Sequence, residues 1–275
     1  MNGTRRDHAL MIPGGPPDRA APLRLLVFNA QHSSAERARR QTDWIAAEAT
    51  ADIAVVTEVG PGPGGDALTS ALARHGYRLV LVPRSRDRDY QTILASRDVG
   101  LTSVPSGISD LPHRAPAASL TVDGQQVGLL GLYVPSRGPR DRRNEDKRAF
   151  QAAVAQALPG FLAGFDGPVI VAGDLNVVEP GHQPHYPVFS GWEYDFYRSF
   201  AVAGLADAYR ARHPAQADHS WYGRGGNGYR FDHAFITSQH VILVRDCGYL
   251  QEPRLQGLTD HAALIMTLEQ AGGLR

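Results

Sequence analysis

A single cysteine, Cys247, in 275 residues leaves no disulfide framework and no thiolate set for a structural zinc. A single lysine, Lys147, makes 27 of the 28 basic side chains arginine. Arginine suits planar, bidentate phosphate contacts, although codon usage in a GC-rich genome produces the same bias. Net charge is absent too: 28 basic residues balance 28 acidic ones. That removes any global pull toward a polyanion, so nucleic-acid binding would have to rest on a local patch. No apolar run approaches the roughly 18 residues of a membrane helix, and the first 21 residues hold no continuous apolar stretch of a signal peptide. The expectation is a cytoplasmic protein without a membrane partner, monomeric, in a reducing compartment. No internal repeat and no long linker divides the chain.

Hydrophobic residues make up 43% of the chain, enough for a packed core. Residues 1–21, with three prolines and three glycines, read as a flexible N-terminal tail. Residues 22–270 read as one domain of layered α/β type. Strands are expected at 23–28, 52–57, 77–82, 92–95, 117–122, 127–134, 169–173, 219–222, 231–237, 241–249 and 262–268. Helices are expected at 34–49, with Ser34 as its cap, at 66–74, 143–158 and 194–203. Asp123-Gly124 marks a hairpin turn. Residues 181–191 form a loop containing His and Pro.

What ends these strands carries the chemistry. The apolar runs terminate in Asn29, Glu58, Tyr133 and Asp174, with Asn176 two residues on, and Asp260-His261 opens the last run. In layered α/β folds, sites gather where strand ends meet loops. Glu58, Asp174 and Asp260 are the hard oxygen donors that Mg²⁺ or Mn²⁺ prefers. Asn29 and Asn176 offer amides to a metal or a phosphate oxygen. His261 is the natural proton carrier, and Asp232 could orient its ring. An extended backbone would point Asp174 and Asn176 the same way. Each residue alone has a bland reading: Gly-Asp-x-Asn is most often a turn, and a strand-end Glu or Tyr is most often solvated or packed. The joint order is more specific than any member.

In that order, Asn29, Glu58, Tyr133-Val134-Pro135, Gly173-Asp174-Leu175-Asn176, Arg230-Phe231-Asp232 and Thr259-Asp260-His261 resemble the endonuclease/exonuclease/phosphatase superfamily. Residues 203–210, His219-Ser220-Trp221 and Gly228-Tyr229-Arg230 look most similar to its exonuclease III and abasic-site endonuclease branch. The resemblance implies a four-layer α/β/β/α sandwich of two packed mixed sheets with outer helices. It implies a Mg²⁺-dependent (or Mn²⁺-dependent) phosphodiesterase acting on DNA. Glu58 would be the main metal ligand, with Asn29 and Asp260 nearby. Asp174 would position or deprotonate water, Asn176 and Tyr133 would hold the phosphate, and His261, oriented by Asp232, would stabilise the transition state. Arg114 falls where that branch carries an arginine. Thr57, Gly60, Ser136 and Tyr229 depart from the branch pattern, so abasic-site specificity is not implied.

Arg137, Arg140, Arg142, Arg143, Lys147 and Arg148 form a basic stretch beyond Tyr133 that could track a phosphate backbone, or be a solvated helix start. Trp221 and Tyr229 are the aromatics placed to stack on bases. The rival readings are a phosphomonoesterase or phospholipid-type hydrolase of the same superfamily, and a binding module without catalysis. The segment Arg230-Phe231-Asp232-His233 lacks the Trp-x-Asp-Arg pattern of the inositol phosphatase branch. A binding module would not need every catalytic position chemically intact.

Overall fold

The structure is a computed structural model describing residues 22–84, 89–122, 124–137 and 141–269, without the side chains of 141–143. Residues 1–21, read above as a tail, lie outside the described residues. Two six-stranded mixed sheets dominate. The first contains β1 (Leu23–Asn29), β2 (Ile53–Val59), β3 (Arg78–Val80), β4 (Gln91–Ser96), β13 (Val244–Leu250) and β14 (Ala263–Leu268), in the order β13-β14-β1-β2-β4-β3. The second contains β5 (Thr102–Val104), β6 (Ala117–Val122), β7 (Gln125–Tyr133), β8 (Val169–Asp174), β9 (Leu205–Asp207) and β12 (Asp232–Thr237), in the order β5-β6-β7-β8-β12-β9. A two-stranded ribbon, β10 (Trp221–Tyr222) with β11 (Gly228–Tyr229), stands apart.

The apolar runs are continuous because the strands are covered on both faces. In β1, Leu25 and Val27 point between the sheets and join Val55, Leu94, Leu129, Ile170 and Ala234 in the central core. Leu26 and Phe28 point outward and pack with Trp44 and Ile45 of α1 (Ala35–Ala47) and Leu68 of α2 (Pro63–Arg74). Over the second sheet, Phe150, Val154 and Leu158 of α3 (Asp141–Ala163) and Phe196 and Phe200 of α4 (Gly191–Val202) cover Leu130, Leu132 and Val171. The layers are therefore α/β/β/α, as the resemblance implied. Ser34 caps α1, its Oγ accepting from Arg37 N.

Some local expectations change. β6 and β7 pair with Val122 opposite Gln125, the expected hairpin, although Asp123 lies outside the described residues. The strand expected from Val241 begins at Val244, because Ser238–Leu243 winds as a 3-10 helix. The edge strands β5 and β9, three residues each, carry no alternation long enough to read in the sequence. No described helix is long and apolar enough to cross a membrane.

Candidate active site

Strand register brings the site together. In the second sheet, Asp174 pairs with Tyr133 on one side and Asp232 on the other, so three polar side chains form one row. In the first sheet, Asn29 pairs with Thr57, which puts Glu58 one residue beyond. His261 precedes β14, the antiparallel neighbour of β1, and bridges to Trp221 of the aromatic ribbon. Each sheet supplies half of the cluster.

Contacts across the two halves are direct. Asn29 Nδ2 donates to Asp174 Oδ2 at 3.0 Å. His261 Nδ1 lies 2.7 Å from Asp232 Oδ2. The Tyr133 hydroxyl donates to Glu58 Oε1 at 2.9 Å. Trp221 Nε1 donates to Asp260 Oδ2 at 2.9 Å. Ser220 Oγ accepts from the backbone N of both Phe231 and Asp232, fixing the start of β12. Gly173 is required before Asp174, since a Cβ there would lie 1.9 Å from the Leu132 carbonyl oxygen.

Asp174 and Asn176 do meet, but not through an extended backbone. β8 ends at Asp174, and Asn176 turns left-handed, with φ of 49°. That turn lets Asn176 N donate to Asp174 Oδ1 at 2.8 Å while its amide donates to Val134 O at 2.9 Å. Lys147 holds the same turn: its ammonium donates to Asn176 O at 2.8 Å and to Glu193 at 2.7 Å, fully buried. Lys147 therefore contributes nothing to a surface phosphate track, contrary to its place in the basic stretch. Arg148 lies over the Trp192 ring, and Arg137 reaches Glu193 at 3.4 Å. Arg140 lies outside the described residues, as do the side chains of Arg142 and Arg143.

Electrostatics follow from burial and close charges. Burial pushes the Asp174 carboxyl well up, the Asp232 and Glu58 charges add to that, and the His261 charge opposes it. Burial would lower His261, but the charge and hydrogen bond of Asp232 outweigh it, with help from Asp174 and Asp260, and raise the imidazole to about 10. The ring is then an imidazolium with both nitrogens protonated. The 3.4 Å approach of Asn29 Nδ2 to Nε2 is donor against donor, and the Nε2 proton is left for an incoming acceptor.

Asp174, Asp232 and His261 present ligand atoms within 4.8 Å of one another, a spacing that could hold a metal ion. Their hydrogen bonds favour a different use. Nδ1 is already committed to Asp232, and both Asp174 oxygens accept amide hydrogens. The same bonds suit the trio to handling a proton.

Two cavities meet at Glu58 and Ser136. One, about 400 Å³, is lined by Asn176, Asp260, His261 and Arg137 and walled by Phe189, Trp221, Tyr229 and Phe231. The rings of Trp221 and Tyr229 are 5.5 Å apart. Phe189 and Tyr186 of the 181–191 loop pack against Tyr229. The other, about 550 Å³, is lined by His32, Asp89, Tyr90, Arg114 and Tyr133. Arg114 is present there, with part of its guanidinium already paired. It is ion-paired to Asp89 and stacked 4.6 Å over the Tyr133 ring. The stacking packs Arg114 against the Tyr133 ring on the cavity wall. Asp89, Phe189 and His32 escaped the sequence reading, and Ser220 was read only as part of the motif His219-Ser220-Trp221, without its part in fixing β12; of the three missed, only His32, three residues after Asn29, stood near a recognised motif.

The model of the endonuclease/exonuclease/phosphatase family matches residues 26–261. The chain belongs to this family. It is accordingly a phosphoester hydrolase. No curated protein matches it by sequence. Among solved structures, it superposes on a 3′-5′ exonuclease from Neisseria meningitidis with a TM-score of 0.72 and 22% identity, covering 90% of this chain and 100% of that one. An AP endonuclease from Archaeoglobus fulgidus gives 0.70 and 21%, covering 90% and 99%. An AP endonuclease from Leishmania major gives 0.71 and 20%, covering 93% and 90%. At these identities the likeness establishes the shared fold of the hydrolase.

Proposed function

We propose that this hydrolase is a Mg²⁺-dependent DNA phosphodiesterase of the exonuclease III type, acting as an exo- or endonuclease in DNA repair. The observation that carries the reading is the row Tyr133, Asp174, Asp232 meeting His261 and Glu58 beside an aromatic-walled cavity. The donor set fits a hard divalent cation: Glu58 and Asp260 line that cavity as carboxylates, and the buried Asn29 would add its amide oxygen, which here accepts from Gln31 N at 2.8 Å. These three residues would hold the ion, which when bound neutralises phosphate charge.

The protein's own groups account for the remaining chemistry. Asp174, buried and with raised proton affinity, accepts the proton of the attacking water. Asn29 and Asn176 hold its carboxylate in place through the bonds described above. His261 Nε2–H points its proton at a phosphate oxygen as negative charge develops there, and Asp232 fixes the ring and keeps it charged. Arg137 sits where a flanking phosphate can reach it, and Trp221, Tyr229 and Phe231 offer faces to a sugar or base. Nucleic acid as the substrate class draws support from the solved neighbours, one of which is a 3′ phosphatase from Neisseria bound to product DNA hairpin, at a TM-score of 0.70 and 20% identity.

A Mg²⁺ substrate panel tests the reading. It comprises single- and double-stranded DNA, an abasic duplex, a 3′-phosphorylated duplex, RNA and inositol phosphates. Chelator-sensitive cleavage of a DNA phosphodiester is expected. Turnover confined to 3′-phosphate ends would favour the phosphomonoesterase alternative, and turnover of inositol phosphates alone would sink the nuclease reading.

A further inference from the structure

The loop after β1 stores backbone strain at positions the proposed chemistry does not use. Gln31 and His32 are consecutive left-handed residues, with φ of 49° and 35°. Neither is glycine, so packing must hold them there. The turn folds His32 back over β2. Its backbone N donates to Glu58 O at 3.0 Å, and its ring stacks on Tyr90 at 5.4 Å. Gly60 lets it approach: a Cβ at Gly60 would stand 3.3 Å from the His32 Cβ.

The imidazole ends beside the Glu58 carboxylate. Glu58 is itself left-handed, with φ of 52°, and Tyr133 occupies its Oε1. Its Oε2 lies 3.8 Å from His32 Nδ1. That is too long for a hydrogen bond. Two donors bonded to one cation at about 2.0–2.2 Å stand roughly 3–3.5 Å apart. A small rotation of the exposed ring closes the difference. Both side chains line the 550 Å³ cavity, so an ion has access to the pair.

We propose that His32 is an additional ligand of the divalent cation at Glu58 and biases the centre toward Mn²⁺ over Mg²⁺. The proposal rests on the reading of Glu58 as a metal ligand. Mg²⁺ demands oxygen ligands and keeps its waters, whereas Mn²⁺ tolerates an imidazole nitrogen among oxygens. Nitrogen at this position therefore favours the transition ion selectively, which a merely electrostatic His–Glu contact would not do.

The test is calorimetric titration of the chelator-stripped full chain with Mn²⁺ and, separately, with Mg²⁺. Wild type, His32→Ala, His32→Gln and Glu58→Gln are compared. His32→Ala should weaken Mn²⁺ binding by roughly tenfold or more, with Mg²⁺ binding changed by less than about threefold. His32→Gln should recover little of the Mn²⁺ preference. In wild type, substoichiometric Mn²⁺ should broaden the His32 Cε1–H resonance before those of other exposed histidines. Equal loss for both ions, or no loss for Mn²⁺, would overturn the proposal while leaving Glu58 as a ligand. Glu58→Gln should weaken both ions; if it weakens neither, the metal reading of Glu58 fails first and the His32 proposal fails with it.

Discussion

Replacing Asp232 by Asn should move the alkaline limit of catalysis, because Asp232 is the nearest charge keeping His261 protonated. Asn keeps the side-chain shape and loses the negative charge 2.7 Å from Nδ1. The imidazole is raised from 6.5 to about 10. At about 1.4 kcal/mol per tenfold change in proton affinity, the surrounding carboxylates favour the imidazolium by roughly 5 kcal/mol net of burial. A hydrogen bond to a charged group contributes about 1.5–3 kcal/mol, so Asp232→Asn should lower the His261 value by about one to two pH units. The assay is kcat/KM between pH 6 and 10.5, read beside an NMR titration of the His261 Cε1–H. Wild type should hold its activity until the pH nears 10, and the variant should fall off earlier. A ring titration that stays within half a pH unit of wild type would refute the reasoning. His261→Ala should cost about 10² to 10⁴ in kcat, and adding Asp232→Asn to it should cost little more, since the pair acts as a unit. Stability moves with the same sign. A proton affinity raised by folding stabilises fully below pH 6.5 and is lost as the pH rises toward 10.

Four further outcomes follow from charges described above or buried nearby. Arg230 is fully buried between Glu179 and Asp207; Arg230→Met should cost about 3–5 kcal/mol in urea unfolding by leaving two buried carboxylates short of a partner. Burial opposes, but the arginines prevail, in holding Glu179 at about 2 and Asp207 well below the usual carboxylate range; their stabilisation is therefore full above pH 4.5 and should drain away as the pH falls toward 2, visible as a falling Tm. Lys147→Met should destabilise by about 3–5 kcal/mol by stranding Glu193, and a second change, Glu193→Leu, should restore much of the loss in the same unfolding assay. Arg137→Ala should reduce the slope of log DNA affinity against log salt by about 0.9 if it touches one phosphate, with no change in slope counting against that contact.

The sheets were legible because their strands are buried on both faces and read as apolar runs. The site was legible because a polar residue at the end of such a run has few places to go but the rim. Asn29, Glu58, Tyr133 and Asp174 were found that way, and β register then set them side by side. Pairings made by isolated charges were not legible. Lys147 looked like part of a basic surface, because its partner Glu193 lies 46 residues away on another helix. The ion pair of Arg114 with Asp89 was hidden in the same way, although Arg114 still lines the cavity. The left-handed turn at Asn176 escaped for a related reason. Asn merely tolerates that conformation, and the Lys147 bond to its carbonyl that supports it is a tertiary contact.

The pairing of β1 with β14 has a consequence for how the enzyme comes into being. Leu23 lies opposite Leu268, so the ends of the folded region close a loop of about 240 residues. Contacts that distant in sequence form late and slowly. During synthesis, Glu58 and Asp174 leave the ribosome long before His261 does. A nascent chain already exposes its carboxylates while the imidazole is still missing, so on the proposed mechanism hydrolysis would begin only once β14 has docked. Arrested chains ending before residue 261 should bind a divalent ion more readily than they cleave anything.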